Sequence, residues 1–571
     1  MPVARAVLTR WSLAWALCLS TAPVLSGELP DIVLPELPQI GGPPALDGAS
    51  RPDDNGLRGS TADVRQQDGF SLSLPSLPDA AVILTFEDRL RGAIGNRLAA
   101  GAESVARLGP AEREGLAQAY TAREHRPLWI ADGTVNVAGQ RVLATLRAAE
   151  EDGLDPADYS VVLPSRRAAV EDWADTELRI SAAALRYARD ARGARIEPSK
   201  LSSLVTPKLS LPDAGEVLQA LAAARDAGAA LSTYNPPHPG YRALKERLAE
   251  LRSMRPGPAM VRVPPGPTLR IGMRDSRVPL IRARLNLEKA NGDERAYDER
   301  VASAVAAFQR DRGLPATGAL TPKTVAALGG AASSARLEED LVANMERWRW
   351  LPRDLGSRHI AVNVPEFRLR LFDNGSIVHH AKVIVGKTET QTPIFSDPME
   401  YLVVNPSWTV PPSIVRKEIL PGLAEDPDYA ERRGYRVIRR GNRIIVQQPP
   451  GERNALGFIK FMFPNQHAVY LHDTPSRRLF STDRRAFSHG CVRVDQPFRL
   501  AELILQSESG WTEAKLRKLI GRGERHIRLK NPLPVHLTYF TVSIEPGGQM
   551  RTFDDLYGLN RKVKAALGYS G

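Results

Sequence analysis

At 571 residues the chain is too long for one hydrophobic core, and at roughly 100–200 residues per domain it should divide into three or four. Its 43% hydrophobic and 25% charged content excludes whole-chain disorder and a polytopic membrane protein. The net charge of +12 and pI near 9.7 suit an anionic setting, yet no dense Lys/Arg block interleaved with aromatics appears, so no nucleic-acid partner is expected. At the N-terminus, Arg5 and Arg10 precede the apolar run Trp11–Leu19 and then small and breaker residues through Gly27. This order reads as a signal peptide over residues 1–27, with export to the periplasm; an uncleaved anchor associating the chain with the inner membrane is the alternative. Residues 28–80 are crowded with Pro, Gly, Ser and Asp and show no sustained apolar period, as expected of a disordered tether.

Residues 81–260 carry Ala/Leu/Arg/Glu-rich segments at helical spacing, such as 183–194 and 214–227, and read as a mostly helical domain. A second helical module spans 267–330. Its apolar periods at 278–285 and 301–309 form two faces of one small core, and Thr321-Pro322 reads as an N-cap followed by proline at the first helical position. With Phe308-Gln309 and Gly313-Leu314-Pro315-Ala316-Thr317-Gly318, it resembles the three-helix peptidoglycan-binding domain; a plain helical spacer is the alternative. Beyond Leu351 the texture changes to strands. Asn374-Gly375 between the alternating runs 368–372 and 377–385 marks a hairpin, and further strands are expected at 401–404, 435–438, 444–447 and 468–472. Residues 413–431 read as helical within this β-rich region, a lid or insertion over a cleft. Asp495-Gln496-Pro497 should cap a helix over about 498–506, and residues 544–571 are left as a C-terminal tail.

Only two cysteines occur: Cys18 in the targeting segment and Cys491. A lone thiol in an oxidising compartment is either a buried small hydrophobe or a working group. The window Tyr470-Leu471-His472-Asp473-Thr474-Pro475, followed by Ser488-His489-Gly490-Cys491-Val492-Arg493, favours work. A thiol of ordinary pKa needs a base, and a histidine both activates the sulfur and protonates a leaving amine. His472 ends one strand and Cys491 begins another, so antiparallel neighbours would bring them together. Gly490 permits close approach of a substrate carbonyl to backbone N–H groups, and Arg493 shares a strand face with Cys491. His379, His380 and His467 read as solvated or structural. A zinc hydrolase built on His472, His489 and Cys491 is the rival enzyme, disfavoured because no His-Glu-x-x-His helix exists. A wall-binding scaffold with an inert thiol is the rival non-enzyme.

His-Asp-Thr-Pro-Ser, a gap, then Ser-His-Gly-Cys-Val-Arg-Val resembles the signature of the L,D-transpeptidase (YkuD-type) family. Val404-Asn405-Pro406-Ser407-Trp408-Thr409-Val410 resembles its large multidomain branch. The resemblance covers residues 358–543, and more loosely the two helical domains. It implies a multidomain α+β chain, with a mixed β-rich catalytic domain and lid-like insertion behind a helical scaffold and a three-helix domain. It implies Cys491 as nucleophile, His472 as base, and the Asp473 carbonyl orienting the His472 ring while the Asp473 side chain stays uncommitted. Ser488, His489, Gly490, Arg493 and Trp408 become oxyanion or substrate neighbours. The implied reaction attacks the third residue of a tetrapeptide stem, releases D-alanine, and passes the acyl group to a second stem as a 3→3 cross-link. Water as acceptor gives carboxypeptidation, and a wall lipoprotein's lysine gives anchoring. Peptidoglycan stem peptides are the expected partners, no cofactor or metal is expected, and the chain is expected to be a monomer.

Overall fold

The computed structural model describes residues 84–569, except 254–260, 262, 289–291, 312–313, 329, 441–442, 508–509 and 546. The signal peptide and tether of the sequence reading lie outside the described residues. The first domain packs its helices around the amphipathic helix Val170–Arg189, whose Trp173, Leu178, Leu185 and Tyr187 are buried. A two-residue hairpin of β1 (Ile130–Ala131) and β2 (Thr134–Val135) lies at its edge. Buried Glu177 caps this core by accepting from the Leu128 and Trp129 N–H groups (2.6 and 3.0 Å) and from the Tyr120 hydroxyl (2.6 Å).

The small module consists of helices Val278–Arg284, Glu299–Asp311 and Pro322–Leu328 around Leu269, Ile281, Val301, Val305 and Leu320. Gln309 is 1% exposed. Its amide donates to Ala319 O (2.8 Å) and Thr324 Oγ1 (2.9 Å) and accepts from Gly318 N (2.9 Å), so one polar side chain ties the turn to the third helix. Thr321 caps that helix by accepting from Thr324 N at 3.2 Å.

Helix Gly330–Arg349 then runs from the module into the β-rich domain and packs on scaffold helix Pro239–Ser253. At its end Arg349 and Glu346, both fully buried, pair at 3.0 Å. Arg349 also donates to Asp152 O (2.5 Å) and the Tyr241 hydroxyl (2.9 Å). A buried ion pair adds little net stability, but loss of one partner strands a charge, so the network fixes how the scaffold meets this helix.

The β-rich domain contains β3 (Arg358–Asn363), β4 (Arg368–Asp373), β5 (Ser376–Gly386), β6 (Phe395–Val404), β7 (Trp408–Thr409), β8 (Arg436–Arg440), β9 (Arg443–Gln448), β10 (Ile459–Met462), β11 (Leu471–His472), β12 (Ala486–Ser488), β13 (Val492–Val494) and β14 (Arg525–Thr538). Nine of them form one mixed sheet in the order β12-β5-β13-β11-β10-β6-β14-β3-β4, and β4 also pairs with β5, which closes the sheet. Asn374 and Gly375 adopt φ of 47° and 79°, as the tight β4–β5 hairpin requires. β7, β9 and β8 form a separate three-stranded sheet. Together with the helical turns between 412 and 432 it encloses its own core of Val410, Val415, Ile419, Ala430 and Val446: this is the lid-like insertion.

Two expectations change. Helix Pro497–Ile504 has no side-chain cap; Asp495 instead accepts from Gln496 N (3.0 Å), and Gln496 enters with φ 51°. Residues 544–571 contain β16 (Met550–Thr552), which pairs with β15 (Val542–Ile544), and helix Leu559–Ala566, which buries Leu559 and Val563 in the β-rich domain's core. Among the described residues no helix is long and apolar enough to cross a membrane.

Candidate active site

β10 burial alternates: Ile459 and Phe461 enter the core, while Lys460 and Met462 point the other way. Lys460 lies opposite His472 on antiparallel β11, and His472 lies opposite Arg493 on β13. β11 and β13 are parallel, not antiparallel as the sequence suggested. Directly opposed residues point to the same side, and so do residues two apart, so Lys460, Tyr470, His472, Cys491 and Arg493 share one face. Leu471 and Val492 turn inward to the core. The Val492 N–H to Tyr470 O bond (3.1 Å) continues the parallel register to the level of Cys491.

Cys491 is half-buried. Burial pushes its thiol above the ordinary value and outweighs hydrogen bonds from Tyr470 and the charges of Lys460 and Arg493, which pull the other way. His472 is 4% exposed. Its Nδ1 lies 2.5 Å from Asp473 O, and since a carbonyl only accepts, Nδ1 carries the proton and Nε2 is the ring's basic atom. Burial, reinforced by the Arg493 charge, holds His472 down to about 3. Thiol and imidazole therefore rest as a neutral pair. Lys460 Nζ sits 3.8 Å from the Tyr470 ring centroid, and the Tyr470 ring meets the His472 ring edge-on at 5.7 Å. Sequence reasoning missed Lys460 and Tyr470; the alternation Tyr470-Leu471-His472 was the available signal for the tyrosine.

The segment before Cys491 is held from below. Gly490 adopts φ +115°, and a Cβ there would come within 3.3 Å of Gln391 O. The Gly490 N–H donates to Ser488 Oγ (3.2 Å), and Ser488 Oγ donates to Cys491 O (2.5 Å). Gly490 N–H is thus occupied, while the Cys491 N–H has no acceptor among the described residues. Buried Thr392 donates to Gly490 O (2.8 Å) and accepts from Gly386 N (2.9 Å), joining this loop to the end of β5. Arg493 Nε is buried without a partner.

His489 leads away from the thiol. Its Nε2 lies 2.6 Å from Glu418 Oε1 in the lid-like insertion, a contact between two partly exposed side chains. The Asp473 side chain is committed, contrary to expectation: it accepts from Phe458 N (3.0 Å), Thr474 N (2.6 Å) and Arg477 Nη2 (2.5 Å). Trp408 on β7 brings the insertion to the site with its indole N–H buried, while burial and then the neighbouring Cys491 push the Tyr470 hydroxyl well above its ordinary value, against a smaller opposing pull from Trp408. Among the described residues no three His, Cys, Asp or Glu side chains gather as a metal site, so His472, His489 and Cys491 do not form the ligand set of the zinc alternative. His467, read as structural, bonds Thr206 of the scaffold at 2.7 Å.

Comparison with known families finds a scaffold domain over residues 114–248, a peptidoglycan binding domain over 274–328 and an L,D-transpeptidase catalytic domain over 357–517. The three matches follow one another along the chain in that order, scaffold first and catalytic domain last. Residues 357–517 are similar to the YkuD-type L,D-transpeptidase catalytic domain. A curated Haemophilus influenzae protein with the provisional name L,D-transpeptidase is 32% identical over 248 residues, which is 40% of this chain and 50% of that relative, so the match spans half the relative's length. Solved L,D-transpeptidase structures from Xylanimonas cellulosilytica (16% identity, 48% of this chain and 98% of that one) and Enterococcus faecium (12%, 32% and 50%) overlap at TM-scores of 0.14 and 0.15, too little to support any argument.

Proposed function

We propose that the chain is an exported peptidoglycan L,D-transpeptidase that forms 3→3 cross-links by acyl transfer through Cys491. The observation that carries this reading is the single face shared by Cys491, His472, Tyr470, Lys460 and Arg493 on three adjacent strands. With both partners neutral at rest, His472 Nε2 takes the thiol proton as the sulfur attacks the carbonyl of the donor stem's third residue. The unoccupied Cys491 N–H receives the developing oxyanion, with the Tyr470 hydroxyl beside it; one such donor is worth about 3 kcal/mol. The carbon–nitrogen bond breaks, His472 protonates the departing D-alanine amine, and a thioester remains. The side-chain amine of a second stem attacks that thioester, His472 takes its proton, and Cys491 leaves with the proton restored. Lys460 and Arg493 supply the positive charge that holds stem carboxylates and steadies the transient thiolate. His489 serves the lid rather than the base.

Incubating the purified chain with disaccharide-tetrapeptides and reading products by mass spectrometry tests the proposal. Dimers joined between two third-position residues are expected. Tripeptides alone make it a carboxypeptidase, and no turnover removes the reading.

A further inference from the structure

A second recess lies where the scaffold meets the catalytic domain. It encloses about 280 Å³ between scaffold segments 191–192, 208–210 and 234–238 and the chain at 348–353. That is near the lower end of ligand-sized pockets, roughly 300–1,000 Å³, and far more than one ion fills. Lys208, on its rim, bonds Asp397 at 2.5 Å. Asp397 is six residues along β6 from Val403, the neighbour of Lys460, so at ~3.3 Å per residue the recess lies about 20 Å from the thiol's face.

Its lining is apolar and cationic. Trp348, Tyr234, Leu209, Leu351 and two prolines supply the walls, and none of the lining residues is acidic. Lys208 and Arg349 are neutralised by Asp397 and Glu346. Arg192 and Arg353 are not: neither makes an ion pair among the described residues. Arg192 lies over the Tyr234 ring (5.9 Å to the centroid) with its Nε buried and unbonded, and Arg353 donates only to the Tyr234 and Asn235 carbonyls (3.2 and 3.0 Å). Burial, and after it the Arg353 charge, pull Arg192 below its ordinary value, and both arginines line the recess. His238 is 5% exposed and donates from Nε2 to Pro352 O (2.9 Å), which leaves Nδ1 a buried acceptor with no donor.

We propose that this recess is a second binding site, separate from the thiol, for a small organic carboxylate with an apolar body and an N–H group. Arg192 and Arg353 take the carboxylate, the aromatic and aliphatic walls take the body, and His238 Nδ1 accepts the N–H. Such groups occur together at the end of a peptide. The site gives the enzyme a hold on a peptide that is not in the reacting position.

The test titrates full-length protein with N-acetyl-leucine, N-acetyl-leucinamide and inorganic phosphate by calorimetry. N-acetyl-leucine is expected to bind one to one, with affinity about tenfold or more lower in R192Q and in R353Q, a loss of about 1.4 kcal/mol. R192K, which keeps the charge, and R493Q, at the thiol's face, are expected to bind as wild type does. The amide should not bind, and phosphate should bind more weakly than the peptide acid. The proposal is overturned by absence of binding at ~10 mM ligand, weaker than the ~1 mM that corresponds to 4.1 kcal/mol. Unchanged binding in both arginine variants, or loss in R493Q instead, equally overturns it. Equal binding of the amide rules out a carboxylate, and phosphate binding as tightly as the acid rules out the organic body.

Discussion

Removing the Thr392 hydroxyl as Thr392→Val should loosen Cys491 without touching it. Thr392 is 1% exposed and holds two backbone groups, Gly490 O at 2.8 Å and Gly386 N at 2.9 Å. Valine fills the same space but leaves both groups without a partner. Each lost bond costs about 1 kcal/mol net, and an unsatisfied buried group raises that to about 1–3 kcal/mol, so the variant should lose roughly 2–5 kcal/mol of stability. The functional effect comes from position. Gly490 precedes Cys491, the proposed nucleophile, and sits at φ +115°, so its carbonyl anchor sets where Sγ points. A misplacement of ~1 Å at a reacting atom costs up to about a hundredfold in rate. Urea unfolding and steady-state transfer on a tetrapeptide donor read both effects: kcat should fall at least about tenfold with KM little changed, and Thr392→Ser should restore most of it. Wild-type kcat in Thr392→Val, or a change in KM alone, would refute the positioning role.

Three further outcomes follow from the same geometry. His472→Ala should lose at least about a hundredfold in cross-linking, the scale of a general base, whereas His489→Ala should lose less than about tenfold; the reverse order would move the base to His489. His489→Ala and Glu418→Gln should each leave melting within about 1 kcal/mol, because the pair is partly exposed, yet speed proteolytic cleavage within 412–432. The double variant should cleave no faster than either single; additive effects would deny the contact. Stability should fall between pH 7 and pH 5. Burial holds His472 to about 3 and His536 to about 4, so the unfolded chain takes up protons first as pH drops below ~6.5, and each residue then withdraws about 2 kcal/mol by pH 5. Chemical unfolding at the two pH values checks this, and a flat or rising stability would contradict it.

Much of the site was legible because its chemistry is written in short, local runs. Ser488 to Arg493 and Tyr470 to Pro475 stand together in sequence, and the Asn374-Gly375 turn announces its hairpin through backbone conformation alone. Strand direction was not legible. β11 and β13 are two and three residues long, too short to show a period, and the 19 residues between them set no turn geometry that would reveal a parallel pair. Lys460 escaped for a related reason: it enters the site only through its register opposite His472. The Asp473 side chain looked free because the Phe458 N–H lies on another strand, and because the turn that folds Arg477 back onto it from four residues on follows no periodic pattern. Residues 544–571 carry Leu559, Val563 and Leu567 at helical spacing, but a single short period does not say what it packs on, and Leu559 and Val563 become core only against the rest of the β-rich domain.

Acyl transfer through Cys491 requires that its sulfur carry the acyl group. Intact mass of the protein after incubation with a carbapenem, a strained acyl donor for a nucleophilic thiol, measures it most directly. One covalent adduct per chain is expected, mapped to the peptide containing Cys491 and absent from Cys491→Ala. An unmodified mass after long incubation, or an adduct that persists in Cys491→Ala, would contradict it.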